Sequence, residues 1–140
     1  MDALNGVSQY FWAMNSAHLS VLVIESHPLM RAALCAAIAD EPGMTIAAVA
    51  ASGTDIMRTA KLLQPNIVLL GMNNPGLEEL QTLAILRKKL PAASILVLTS
   101  DEVAGQSEKA LQLGAQATLN KNAPRSELLR ALRQLSADSH

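Results

Sequence analysis

The chain has 140 residues, of which half are apolar, and it carries a formal net charge of -1 at neutral pH. This length fits one domain with a substantial core, and the near-zero charge gives no indication of binding to nucleic acid or to an anionic membrane. The single cysteine excludes an internal disulfide bond and the usual zinc clusters. Since the sequence shows no signal peptide and no apolar stretch of roughly 20 residues, we expect a cytoplasmic protein without membrane spans.

Residues 1–18 contain all the aromatic residues of the chain, the consecutive Tyr10, Phe11 and Trp12. We interpret them as an N-terminal extension, because they do not share the repeating pattern that follows. Exposed aromatic residues are typical of interfaces. The extension is therefore either a helix or tail that packs on the domain, or an anchor for dimerisation or a partner. A third alternative is that Met14 is the true start, since residues 14–18 lead directly into the first strand.

From Leu19 onward, short β-branched or leucine-rich runs alternate with longer segments of helical period. This alternation is typical of parallel strands joined by crossover helices. We predict strands at 19–24, 44–50, 67–70, 95–98 and 117–119. We predict helices at 28–40, from Gly53 to just before Pro65, from Leu77 to just before Pro91, at 103–113, and from Pro124 onward.

The apolar residues of each predicted helix form a stripe that we expect to face the core. Gly114 follows the fourth helix at the place where a left-handed helix cap is expected. The predicted inward residues are Leu29, Ala33, Leu34, Ala37 and Ile38; Ile56, Ala60 and Leu63; Leu77, Leu80, Leu83 and Leu86; and Leu128, Leu129, Leu132 and Leu135.

Five strand and helix pairs predict an α/β fold, a doubly wound five-stranded parallel sheet of (βα)5 type with helices on both faces. We assign residues 19–136 to this domain and residues 137–140 to a C-terminal tail. Functional sites of such sheets lie at the carboxyl ends of the strands. The residues at that edge are Glu25, Ser26, Gly71, Thr99, Ser100 and Lys121.

Four segments, residues 21–31, 65–76, 95–100 and 114–121, give residues 19–136 a resemblance to a known family. Together they resemble the receiver domain of two-component response regulators, in particular those linked to a helix-turn-helix output domain. The resemblance implies a flavodoxin-like fold with strand order 2-1-3-4-5. It also implies a role in phosphorelay signal transduction rather than in enzymatic catalysis.

By position, the resemblance places the acidic pair that helps to bind magnesium on Glu25 and Ser26, and the phosphoacceptor aspartate on Gly71. Asn73 keeps the position whose backbone carbonyl ligates the metal. A serine hydroxyl is a poor replacement for a magnesium-binding carboxylate, and glycine has no nucleophile. We therefore expect magnesium binding to be weak or lost, no phosphorylation at Gly71, and no cofactor.

Two other members of the implied site remain, the hydroxyl of Thr99 and the ammonium group of Lys121. The family's aromatic switch position falls on Thr118, so the aromatic ring is missing. Because Lys121 has lost its implied aspartate partner, we hypothesise that it forms an ion pair with Glu25. The alternative is that Lys121 extends into solvent.

The preferred interpretation is a degenerate receiver, or pseudo-receiver, that acts by protein contacts without phosphorylation. Its partner would be a histidine kinase, an output domain or a second copy, with no nucleic acid bound through this chain. The partner surface is predicted on the last helix, at Arg125, Arg130 and Arg133. Two alternatives stay open: a functional receiver with Ser100 or Asp101 as substitute acceptor, and the receiver part of a DNA-binding transcriptional regulator. An enzyme is disfavoured, because no glycine-rich phosphate loop follows the first strand.

Three other features have a structural and a functional interpretation. His27 is expected to be a loop or cap residue rather than a phosphohistidine or a metal ligand. Cys35 is expected to be a small core residue rather than a reactive thiol. Residues 87–89, Arg-Lys-Lys, are expected to form the exposed end of a helix and to complement its dipole, rather than to form an anion-binding patch.

Overall fold

A computed structural model of the chain describes residues 18–73, 76–100 and 104–138. The expectations for Tyr10, Phe11, Trp12 and Met14, and the one for Asp101, lie outside these residues. The described elements, in chain order, are β1 (Leu19–Ile24), α1 (Pro28–Ala39), β2 (Met44–Ala50), α2 (Gly53–Leu63), β3 (Ile67–Gly71), α3 (Leu77–Lys89), β4 (Ser94–Thr99), α4 (Gln106–Gln112), β5 (Ala117–Asn120) and α5 (Arg125–Asp138).

The five strands form one parallel sheet in the order β2-β1-β3-β4-β5, which confirms the predicted architecture. The predicted bounds of β1 and β2 are confirmed, while β3, β4 and β5 extend beyond the predicted apolar runs. The extra residues are paired in the ladder, Gly71 with Leu98 and Thr99 with Asn120. Two of the predicted site residues are therefore held by the sheet itself rather than by a loop.

The core has two parts, one on each face of the sheet, because successive strand side chains point to opposite faces. From β1, Leu22 and Ile24 pack on one face with residues of α2, α3 and α4. Val21 and Val23 pack on the other face with residues of α1 and α5. Every residue of β3 is buried, as expected for a central strand covered on both faces. The four leucines predicted to face inward from α5 are also buried.

Three predicted inward residues, Leu29, Ala33 and Leu77, are exposed instead. Leu29 is 78% exposed and Leu77 is 64% exposed. Both lie in the first turn of their helix, and in α1 the inward face is centred on Leu34 and Ile38. That stripe continues toward the N-terminus through Met30 rather than through Leu29, and Ala33 is exposed as well.

The fourth helix is shorter than predicted. It begins at Gln106, because Ala104 and Gly105 form a turn in which Gly105 has a φ of 78°. It ends at Gln112, one residue before the predicted end, and Gly114 has the positive φ, 115°, that was expected for the helix cap. At the other end of the chain, α5 continues to Asp138, so the first two residues assigned to the tail are helical.

The interpretation of residues 87–89 is wrong for Arg87, although Lys88 and Lys89 are exposed as expected. The guanidinium group of Arg87 donates to backbone carbonyls in two different loops and to one side chain. Its burial lowers the pKa of Arg87. The acceptors are the carbonyls of Leu90, Pro91, Ala93 and Gly114 and the side chain of Gln116. Arg87 therefore joins the loop after α3 to the loop after α4.

Candidate functional site

The carboxyl ends of β1, β3, β4 and β5 bring the predicted site residues together. Glu25 directly follows β1, Gly71 ends β3, Thr99 ends β4 and Lys121 directly follows β5. Backbone hydrogen bonds continue past the strand ends, from Glu25 to the carbonyl of Ala50 at 3.0 Å and from Lys121 to the carbonyl of Thr99 at 2.9 Å. The backbone at this edge is therefore positioned by the sheet.

Glu25 is fully buried and pairs with Lys121, whose side chain is 17% exposed. The Oε1 atom of Glu25 lies 3.1 Å from the Nζ atom of Lys121, which is the ion pair hypothesised from the sequence. Oε1 makes no hydrogen bond to a described residue, so this approach is a charge contact rather than a directed hydrogen bond. Oε2 accepts a hydrogen bond of 2.9 Å from the backbone N–H of His27.

The carboxylate of Glu25 fills the space next to Gly71. A Cβ atom built on Gly71 would lie 2.8 Å from the carboxyl carbon of Glu25 and would overlap Oε1. Any larger residue at position 71 would therefore have to displace the Glu25 carboxylate. The carboxylate of Glu25 thus occupies the position that the first atom of a side chain at residue 71 would take.

Asn73 connects three loops at the mouth of the site. Its Nδ2 atom donates to the Oγ atom of Ser26, and its Oδ1 atom accepts a hydrogen bond of 3.2 Å from Nζ of Lys121. The backbone N–H of Asn73 donates to Oε1 of Glu79 in the first turn of α3 at 3.3 Å. The side-chain amide therefore lies between Ser26 and Lys121.

Gln106 is a site residue that the sequence analysis missed. Its side chain is 3% exposed and spans two loops: Nε2 donates to the carbonyl oxygen of Asn73 at 3.1 Å, and Oε1 accepts from the N–H of Ser100 at 2.9 Å. Gly76 leaves room for this bridge, because a Cβ atom there would lie 2.9 Å from both bridging atoms. The sequence carried no signal for it, since residue 106 was expected inside a helix that began earlier.

The remaining predicted positions are close by. Thr99 is buried, and its hydroxyl accepts a hydrogen bond of 3.4 Å from Ser107. Thr118 is half-buried in β5 and presents no ring that could act as an aromatic switch. Ser26 is exposed.

These side chains do not fit a magnesium ion. Mg²⁺ prefers octahedral coordination by oxygen, usually with one or two carboxylates. The acid directly after β1 is already paired with Lys121, and Ser26 supplies only a hydroxyl. Among the described residues, no group of three or more His, Cys, Asp or Glu side chains is placed to hold a metal ion. The ammonium group of Lys121 neutralises the carboxylate of Glu25.

Two of the three arginines predicted at the partner surface form ion pairs with the residues that directly follow α1. Arg125 pairs with Asp40 at 3.6 Å, and Arg133 pairs with Glu41. Arg130 is exposed and forms no ion pair with a described residue. The partner surface stays a prediction, with Arg130 as its least constrained member.

His27 and Cys35 have structural positions. His27 is exposed at the N-cap of α1, where its backbone N–H contacts Glu25. Cys35 is half-buried and packs against the core between the sheet and α1 and α5. Burial raises the pKa of its thiol, which disfavours the reactive thiolate. In the described part of the chain, no helix is long and apolar enough to cross a membrane.

Comparison with known proteins gives a consistent result. Residues 21–133 match the family model of the response regulator receiver domain. The chain is 32% identical over 123 residues to the nitrate/nitrite response regulator protein NarL of Escherichia coli K12, covering 88% of this chain and 57% of that protein. It is 29% identical over 119 residues to the response regulator GacA of Pseudomonas aeruginosa, covering 85% and 56%. The chain therefore spans little more than half the length of these relatives.

Solved structures show the same similarity. The signal receiver domain of a NarL response regulator from Mycobacterium tuberculosis matches with a TM-score of 0.76 and 26% identity, over 86% of this chain and 97% of that one. A DNA-binding response regulator of the LuxR family from Staphylococcus aureus matches with a TM-score of 0.75 and 26% identity, over 84% and 98%.

Proposed function

The chain belongs to the response regulator receiver domain family, and from that premise we propose that it is a degenerate receiver, which acts through protein contacts without phosphorylation at Gly71. Receiver domains act in two-component signalling and interact with proteins such as histidine kinases and output domains. The observation that carries the proposal is the Glu25 carboxylate, which fills the space in front of Gly71 and is paired with Lys121.

The chemistry of phosphoryl transfer supports this proposal. The reaction needs a nucleophile that a phosphoryl donor can approach, and a cation that neutralises the developing charge. Gly71 has no nucleophilic atom, and the neighbouring Glu25 is fully buried. The cation paired with its carboxylate is Lys121, whose charge is already compensated. Neither requirement is met by the described side chains at this edge of the sheet.

The contacts between loops support a conformation that forms without phosphorylation. Asn73 bridges Ser26 and Lys121, and Gln106 bridges Asn73 and Ser100. Together the side chains of Asn73 and Gln106 join the loops that follow β1, β3, β4 and β5. We infer that the domain presents one constant surface, to a histidine kinase, an output domain or a second copy, and that it is not itself an enzyme and binds no nucleic acid.

A second candidate is the receiver part of a DNA-binding transcriptional regulator. It is favoured by the length of the curated relatives, since this chain covers 57% of NarL and 56% of GacA. The similar Staphylococcus aureus protein is described as a DNA-binding response regulator. In that case the constant surface would act on an output domain of the same polypeptide.

The test is incubation with acetyl phosphate and Mg²⁺, followed by intact mass spectrometry. We expect no stable mass increase for the wild-type chain. The matched control is the triple variant Glu25→Asp, Ser26→Asp, Gly71→Asp, in which the shorter acid at position 25 makes room for one at position 71. We expect this variant to gain one phosphoryl group.

A phosphoryl group recovered on the wild-type chain would contradict the proposal. If it mapped to Ser100 or Asp101, a functional receiver with a substitute acceptor would be the correct interpretation.

A further inference from the structure

A groove of about 490 Å³ lies at the edge of the sheet opposite to the site described above. It is formed by the C-terminal ends of α2 and α3 and by the loops that lead from them into β3 and β4. Pro65, Leu90 and Ala93 are buried and form an apolar floor, while Lys61 and Lys89 are exposed at the rim. None of the described residues that line the groove is acidic.

The chain enters the domain beside this groove. The backbone N–H of Ser20 donates to Oδ1 of Asn66 at 2.8 Å, and the N–H of Asn66 donates to the carbonyl of Ser20 at 2.9 Å. Asn66 itself lines the groove. Trp12 is eight residues before Ser20, and eight extended residues span up to about 26–29 Å. The aromatic residues are therefore within reach of the groove.

The chemistry of the N-terminal segment complements that of the groove. Residues 1–17 contain one acidic residue, Asp2, and no lysine or arginine. Aromatic rings bury a large apolar area, and a lysine ammonium is attracted to the face of a ring. Complementing the dipoles of α2 and α3 would explain Lys61 and Lys89, but it would not explain the concave apolar floor between them.

We propose that residues 10–12 dock in this groove of their own chain, with Trp12 packed on the apolar floor between Lys61 and Lys89. A short connection to β1 gives the segment a high effective concentration at the groove, which favours docking within one chain over docking to another. The N-terminal extension would then cover the edge of the sheet that holds the groove, opposite to the loops that surround Glu25.

Trp12 is the only tryptophan of the chain, so its fluorescence reports directly on this contact. For the wild type we expect an emission maximum at shorter wavelength than in denaturant, and weak quenching by acrylamide. Ala92→Glu places a charged side chain in the groove at an exposed position. We expect it to shift the emission to longer wavelength and to increase the quenching constant several-fold.

The matched control is Ala36→Glu, at an exposed alanine of α1 on the other face of the sheet, which we expect to leave the emission unchanged. Lys89→Glu is a second groove variant at an exposed position, with the same expected direction as Ala92→Glu. Far-UV circular dichroism verifies that each variant is folded.

The proposal is wrong if Trp12 in the native wild type emits as it does in denaturant, or if both groove variants behave like the control. A blue shift that appears only as protein concentration rises would also overturn it, because the occupant would then be the segment of a second copy.

Discussion

The side chain of Glu25 occupies the space next to Gly71 at the carboxyl ends of β1 and β3. A substitution at either residue therefore affects the other. The carboxylate lies where the side chain of residue 71 would begin, and it is held there by Lys121 and by the N–H of His27. The carboxylate therefore takes up the space beside Gly71 in which a side chain would begin. The negative charge beside Lys121 is supplied by Glu25, the residue that directly follows β1.

We predict that Gly71→Ala lowers the free energy of unfolding by about 1–3 kcal/mol, because the new methyl group displaces the buried carboxylate from its partners. In a Glu25→Ala background the same change should cost less than about 0.5 kcal/mol, or stabilise slightly, since the space is free and alanine restricts the unfolded chain. Urea denaturation of the four chains gives the coupling energy. Equal costs in both backgrounds would show that the two residues do not compete for space.

Lys121→Ala should leave the carboxylate of Glu25 buried without its counter-charge. We expect the free energy of unfolding to fall by more than about 1 kcal/mol. Lys109→Ala, at an exposed lysine of α4, is the control and should change it by less than about 0.5 kcal/mol. A Lys121→Ala variant as stable as the control would mean that the pair contributes nothing to folding.

Among the helices and strands, the sequence was most informative where apolar periodicity and local turn residues agree. The bounds of β1 and β2 and the inward leucines of α5 follow directly from such patterns. The start of α4 was missed because Gly105 takes a left-handed turn that apolar spacing does not report. Arg87 was misinterpreted because its acceptors include Gly114, 27 residues away, and a contact of that separation leaves no local pattern.

Because Arg87 of α3 packs against Gly114, we predict that alanine substitutions at Gly105 and Gly114 lower the free energy of unfolding by different amounts. Gly105 and Gly114 both have a positive φ, but a Cβ at Gly105 would meet no atom within 4 Å, whereas one at Gly114 would lie 2.5 Å from Cδ of Arg87. Gly105→Ala should cost about 1–2 kcal/mol, the usual penalty for alanine in a left-handed conformation. Gly114→Ala should cost at least about 1 kcal/mol more, because it also displaces Arg87.

Thermal or urea unfolding of the two variants measures this difference. If both substitutions lowered the free energy of unfolding equally, the packing of Arg87 against Gly114 would not contribute to stability.

For the whole molecule, the sequence predicted the topology, most residues of the candidate site and the ion pair of Glu25 with Lys121, but not the other contacts among those residues. Alternating strand and helix patterns determine the doubly wound sheet, and the resemblance to receiver domains located Glu25, Gly71, Asn73, Thr99 and Lys121. The position of the Glu25 carboxylate and the bridge made by Gln106 depend on side-chain conformations within packed loops. Such conformations are set by tertiary contacts, which no local pattern encodes.

The domain has the fold of the family, and in its candidate site the carboxylate of Glu25 fills the space beside Gly71. Lys121 neutralises the carboxylate of Glu25, and hydrogen bonds of Asn73 and Gln106 join the surrounding loops. Signalling through this domain would then depend on the presence and the affinity of a protein partner. It would not depend on the chemical state of the site.

The most direct measurement is a ¹H–¹⁵N NMR titration of the wild-type chain with Mg²⁺ and then beryllofluoride, an analogue of the phosphoryl group on an acceptor carboxylate. We expect no saturable shift in the amide resonances of Asn73, Thr99 and Lys121, because the carboxylate of Glu25 is buried and already paired. Saturable shifts centred on those three residues would contradict it, since they would show that the site still binds the metal and the phosphoryl analogue.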